Sequence, residues 1–236
     1  DTPVEDCSQD TPSNDFENGH GNLHLLRVAN DFVVEENTMF TVDQFKFNVI
    51  LPVGATVDAL DFYFFEDSGA GPGTEVQSEM LVVPTSVEMV GTLSSFEVYT
   101  VTVDLPTAYT FNGTTSGDTN YWLGIMVYTG AANSYWEGTS ILNTPNEGYL
   151  ELDGVWSPIS TVFGSDPFDG VFEISGTCET LGISDMDSFD FAYYPNPVKD
   201  VLNITSNKPV ENVAVFNLAG QKVMANAQVA NGQINV

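Results

Sequence analysis

The sequence predicts an all-β chain: an antiparallel β-sandwich of jelly-roll-like type, followed by a small β-sandwich-type module. Three observations lead there. Phe and Tyr are abundant, at 16 and 9 residues, and Val and Thr are plentiful while helix formers are scarce. Short apolar segments with alternating faces recur at short intervals, separated by Gly, Pro, Asn and Asp. No segment carries the 3.6-residue period of an amphipathic helix. With 42% hydrophobic residues in 236, one large core plus a small appendage is affordable.

In chain order, residues 1–22 are rich in Asp, Ser, Asn, Pro and Gly and read as an extended, loosely ordered lead-in held by Cys7. Residues 23–28 and 30–34 form a first strand pair. Residues 40–49 alternate well, with Phe45, Phe47 and Val49 on one face. Residues 57–66 make a longer strand, ended by the loop Asp67-Ser68-Gly69-Ala70-Gly71-Pro72-Gly73. Strands follow at 80–83, 86–93 and 96–105. The run Tyr121-Trp122-Leu123-Gly124-Ile125-Met126-Val127-Tyr128 is almost unbroken in its apolar character, as a central strand buried on both faces should be. Tyr135-Trp136, residues 148–152 and residues 171–175 complete the first domain, which spans 1–178. Residues 179–192 are polar and contain Gly182, Ser184 and Ser188, so they read as a linker.

Charge divides the chain at the same place. Through Asp190 there are 31 acidic residues against Arg27 and Lys46; from Phe191 onward there are two acidic and three basic. The net charge of −28 repels phosphate backbones, so nucleic acid is excluded as a natural partner. No run of about 18 apolar residues predicts a transmembrane helix. The first residue is Asp1, not Met, which suits a mature exported form.

Cys7 and Cys178 lie near the two ends of the acidic domain. In an exported protein this placement predicts one disulfide. Closing a loop of about 170 residues restricts the unfolded chain by roughly 4–5 kcal/mol in the entropy model.

Catalytic chemistry has no distinctive signature. Thirty-three acids give chance carboxylate pairs at every separation, so pairing selects none. Asp166, Asp169 and Glu173 cluster near the last strand, where a carboxylate site and a solvated rim explain them equally well. No Gly-x-Ser-x-Gly elbow occurs. Calcium is the small ligand best suited to the composition, since a hard cation takes carboxylate and carbonyl oxygens. Its candidate ligands are Glu66 and Asp67 entering the glycine-rich loop, Glu75 leaving it, and Asp61 further back on the strand. Trp136 and Trp156 fall beside turn residues and are candidates for stacking on sugar rings, whereas Trp122 belongs in the core.

The tail carries the most specific pattern. Tyr193-Tyr194-Pro195-Asn196-Pro197 is a rigid entry, because each proline fixes φ and removes an amide donor. The strand Val201-Leu202-Asn203-Ile204 follows, and then Val215-Phe216-Asn217-Leu218-Ala219-Gly220-Gln221-Lys222-Val223 with its turn at Gly220. In this order the pieces resemble the C-terminal sorting domain carried by cargo of the Bacteroidetes type 9 secretion system. The resemblance covers residues 193–236. It implies delivery to the outer-membrane surface or the medium through the periplasm. It also implies that the tail meets translocon, shuttle and sortase components, with cleavage in the linker. The family pattern runs on through further strands, so by this reading the tail is incomplete at Val236. The first domain, through Val-Ala-Asn-Asp-Phe-Val-Val, the glycine-rich loop and Tyr-Trp-Leu-Gly-Ile, is similar over residues 23–178 to a recurrent domain of secreted Bacteroidetes proteins. That similarity implies a sandwich and no activity. The expected function is a non-catalytic binding module, for polysaccharide or surface adhesion; a hydrolase with acidic catalytic residues and a purely structural element are the alternatives.

Overall fold

The computed structural model describes residues 4–21, 23–24, 26–131, 133–180, 191–194, 200–206, 213–217, 219–227 and 233–235. The chain divides into two compact units, Asp1–Leu181 and Gly182–Val236.

The first unit runs β1 (Val4–Thr11), β2 (Asn18–His20), β3 (Val28–Val34), β4 (Thr38–Pro52), β5 (Val57–Asp67), β6 (Pro72–Val82) and β7 (Ser86–Leu93). It continues with β8 (Phe96–Asn112), β9 (Thr119–Thr129), β10 (Tyr135–Thr139), β11 (Tyr149–Leu152), β12 (Val155–Pro158), the short helix α1 (Ile159–Phe163), β13 (Asp169–Gly170) and β14 (Phe172–Thr180). Two antiparallel sheets result. One has the order β1-β14-β4-β10-β13, with β8 on the other edge of β4, β7 beyond it, and β2 on β10. The other has the order β12-β11-β3-β9-β5-β6. They pack face to face as an all-β sandwich.

Alternation explains the packing. In β4, Phe45, Phe47 and Val49 point inward and are buried. Phe62 and Phe64 of β5 and Leu123, Ile125 and Val127 of β9 meet them from the other sheet. Edge-to-face contacts such as Phe45–Phe62, with centroids 5.5 Å apart, fill the interior. The central strand β9 is flanked by β3 and β5, and its alternate residue Trp122 joins a second, smaller cluster with Ala29, Tyr63 and Phe65. Both faces of β9 are thus covered, which is why its stretch from Tyr121 to Tyr128 carries no charged or amide side chain.

Two expectations need correction. The lead-in is not loose: Val4 to Thr11 pairs residue by residue with β14, from Val4↔Glu179 to Thr11↔Phe172. Its polar sequence reflects an edge strand whose side chains face mostly outward, since ladder bonds use the backbone alone. The pair at 23–28 and 30–34 is one strand, β3, preceded by turns at Leu23 and His24.

The second unit holds β15 (Phe191–Tyr194), β16 (Val201–Ser206), β17 (Val213–Phe216), β18 (Lys222–Ala227) and β19 (Gln233–Asn235). Among the described residues these form a three-stranded sheet, β15-β16-β19, and the hairpin pair β17-β18.

Candidate ligand-binding face and sorting tail

The outer face of the six-stranded sheet carries the sandwich's most concentrated chemistry. Tyr63 and Phe65 of β5, Trp122 of β9 and Ala29 of β3 form a buried aromatic bed. Trp122 Nε1 donates to Asp67 at 2.8 Å, and Tyr149 packs edge-on to Trp122 at 5.0 Å. The β5–β6 loop closes over this corner at Gly71. Its φ is +110°, and a Cβ there would lie 2.4 Å from the Tyr149 ring, so only glycine permits the approach.

Arg27, the chain's single arginine, lies across the bed. Its guanidinium carbon sits 4.8 Å from the Tyr63 ring centroid and 5.9 Å from that of Trp156. It donates through Nε and Nη2 to both carboxylate oxygens of Glu151, and Nη1 lies 3.7 Å from Glu75. Such a fork fixes a planar cation far better than a single contact does. Trp156 on the edge strand β12 packs against Phe65 at 5.4 Å and remains half-buried. Burial, then the Asp61 carboxylate, push the Tyr63 hydroxyl up to about 12.

Of the two stacking candidates, Trp156 reaches solvent and Trp136 does not. Trp136 is fully buried between Phe47 and Phe172, and its Nε1 donates to Val171 O at 2.9 Å. Its place on β10, inside the first sheet, turned it inward despite the turn residues nearby. Trp122 is core.

The four calcium candidates do not converge. Asp61 is fully buried and receives the amide of Leu81 at 2.7 Å and the hydroxyls of Tyr128 at 2.7 Å and Tyr63 at 3.3 Å. The first of these bonds holds Leu81 in a left-handed conformation, φ +57°. Asp67 caps its own loop by accepting from Gly69 N at 3.0 Å, besides holding Trp122. Glu75 accepts from Ser78 Oγ at 2.8 Å and faces Arg27, while Glu66 points to solvent. Strand alternation separates them, and no group of three or more His, Cys, Asp or Glu suited to a metal occurs among the described residues.

The three acids at 166–173 do not act as one group. Asp166 is exposed and Glu173 pairs with Lys46 at 3.3 Å, but Asp169 is fully buried.

Cys7 and Cys178 are joined in a disulfide, with Cα atoms 5.8 Å apart and a sequence separation of 171. The bond staples β1 to the last strand of its own sheet. A mostly apolar cleft of about 490 Å³ opens among Leu26, Tyr135, Leu150, Leu152, Val162 and Phe163.

In the tail, Tyr194 ends β15 and is exposed; Pro195, Asn196 and Pro197 lie outside the described residues. Asn203 of β16 donates to Tyr194 O at 3.1 Å and accepts from Gln233 Nε2 at 3.0 Å, tying three strands together. Gly220, φ +76°, makes the turn between β17 and β18. Asn217 Oδ1 receives the amides of Ala219 and Gln221, each at 3.0 Å. An asparagine that binds its own turn, followed by a left-handed glycine, is a hairpin signal.

Comparison with known proteins bears on this tail. Residues 192–236 match the family described as the secretion system C-terminal sorting domain. Among curated proteins no match is found. Among solved structures, the chain has a likeness to the cysteine protease and lectin-like domains of a surface layer associated protein of Clostridium difficile, at 15% identity and TM-score 0.37. That likeness covers 66% of this chain and 32% of the other. No helix among the described residues is long and apolar enough to cross a membrane. The tail meets the type 9 secretion machinery, and the protein is a cargo of that system, exported to the cell surface or beyond.

Proposed function

We propose that the sandwich is a non-catalytic binding module for polysaccharide, and that Trp156 and Arg27 form its contact surface. The observation that carries this reading is the pairing of one half-exposed tryptophan with convergent charged groups. Trp122 and Trp136 are fully buried; Trp156 is not, and Arg27, Glu75 and Glu151 lie beside it. A flat ring accepts the apolar face of a sugar, while a fixed guanidinium and carboxylates bond its hydroxyls. The bed of Tyr63, Phe65 and Trp122 holds these groups rigid before a ligand arrives, which lowers the entropic cost of binding.

A glycan array with the full chain and Trp156→Ala, run beside a hydrolysis assay on the same polymers, tests the proposal. Retention by a polymer that the variant loses supports it. Product release from a polymer, or equal retention by both proteins, overturns it. The cleft at Leu26, Tyr135 and Phe163 favours a second reading, a ligand with an apolar group; here Phe163→Ser rather than Trp156→Ala would abolish retention.

For organisation, residues 1–178 are proposed to fold alone, with 179–192 as the connection where a sortase cuts. Thermal unfolding of residues 1–180 should remain cooperative. In the tail, Tyr194, Pro195, Asn196, Pro197 and Gly220 are proposed to shape the surface that translocon and shuttle components read. A reporter fused to the complete tail should be exported, and less so when the three residues 195–197 or Gly220 are replaced.

A further inference from the structure

Asp31 of β3 and Asp169 of β13 are both fully buried, and each leaves its Oδ1 without a hydrogen-bond partner. The neighbouring side-chain amide of Asn120, on β9, lies close enough to Asp31 to favour its charged form, yet neither its nitrogen nor its oxygen makes a hydrogen bond of good geometry. Around them the 143–148 loop closes a lid. Asn146 donates to Asp31 Oδ2 from its backbone at 3.2 Å and its side chain at 2.7 Å. Thr144 donates to Asp169 Oδ2 at 3.3 Å. Each carboxylate therefore has one oxygen fixed by the loop and one left bare. Buried polar groups are almost always paired, and buried charges either pair or coordinate a cation.

We propose that Asp31 Oδ1, Asp169 Oδ1 and Asn120 Oδ1 bind a calcium ion beneath the 143–148 loop. The donor set is all oxygen, as a hard cation requires, with two carboxylates to balance its charge. Calcium completes its shell with carbonyls and hydroxyls in flexible geometry, and Thr144 supplies a hydroxyl at the site; magnesium demands a stricter octahedron and sheds water reluctantly. Neither carboxylate reaches solvent, so the ion is structural, holding the loop before β11 against β3 and β13. The site is distinct from the β5–β6 loop, where the acids are occupied by donors from the chain itself.

Other charges facing the site agree. Glu147 is also acidic, although both its oxygens are held by Ser160, at 2.8 and 2.6 Å. Burial and the Asp31 charge push Asp169 up to about 8, and burial raises Asp31. The hydroxyl of Tyr149, raised by burial and then by Glu147, adds no positive charge.

Titration of the chelator-treated full chain with CaCl2, followed by calorimetry and thermal unfolding in 0.5 M NaCl, tests this. One saturable site is expected, with a Kd of about 10⁻⁴–10⁻³ M, as in extracellular modules. Asp169→Asn and, as a milder second variant, Asn120→Ala should each weaken binding by about tenfold or more. MgCl2 should raise the melting temperature less than CaCl2. The absence of a saturable site overturns the proposal. So does an equal response to both cations, or a response unchanged in both variants, since the acidic surface alone would give either.

Discussion

Glu137 and Asp169 are fully buried acids on paired strands, β10 and β13, yet the chain treats them differently. Glu137 receives Ser13 Oγ on one oxygen and Asn48 Nδ2 at 2.7 Å on the other, and Asn48 Oδ1 in turn receives Thr100 at 2.7 Å. Every member of that network comes from the sandwich itself. Asp169 has one long bond to Thr144, a bare oxygen and a like charge facing it. The contrast teaches that burial alone does not make an acid structural. Where the chain supplies donors the charge is held; where it leaves an oxygen open, a proton or a cation must complete the site.

The strongest way to break the comparison is at Glu137. Glu137→Ala strands Ser13 and Asn48 and should cost about 3 kcal/mol, or about 6–12 °C of melting temperature. A loss as small as a surface substitution would show that the network contributes little. Asn48→Ala removes only one link, and denaturant titration should show a cost of about 1–3 kcal/mol.

Asp169 should respond with the opposite sign. Its folded pKa, near 8, is raised above the ordinary carboxylate range near 4. The stability linked to its proton is present below about pH 4 and is lost as pH rises through about 8. In chelator, Asp169→Asn should therefore gain on the wild type as pH rises from 5 to 8, ending about 2–4 °C above it. A difference that stays flat with pH would rule out a buried proton there. The smallest effect is expected for Asn120→Ala. In chelator, with no hydrogen bond of good geometry to lose, its stability should lie within about 0.5 kcal/mol of the wild type by denaturant titration, sharpening the contrast with Asn48.

Much of the fold was legible because burial leaves a pattern. The apolar run of β9 announced a strand covered on both faces, and Phe45, Phe47 and Val49 announced the inner face of β4. The disulfide was legible from the placement of Cys7 and Cys178. Strand β1 was not, because an edge strand is held by backbone bonds that no side chain advertises. Trp136 and Trp156 look alike in sequence, each beside a turn, and only their sheet positions separate them. The acids of the β5–β6 loop were visible as a cluster in sequence, but alternation sent them to different donors. The signal for Asp31 was present and passed unread: Asn30-Asp31 interrupts an otherwise apolar strand, placing one buried polar group on each face.

The Cys7–Cys178 bond also has a mechanical consequence. The tail leaves the sandwich only a few residues beyond Cys178, and β1 begins three residues before Cys7. Traction between β1 and the tail therefore runs through one sulfur–sulfur bridge instead of through the sheets. At about 3.5 Å per extended residue, roughly 600 Å of chain is withheld from stretching. Under such a pull the sandwich behaves as an inextensible bead on its own thread, and unravels only where a load is hooked inside the loop, as a ligand gripped at Trp156 would hook it.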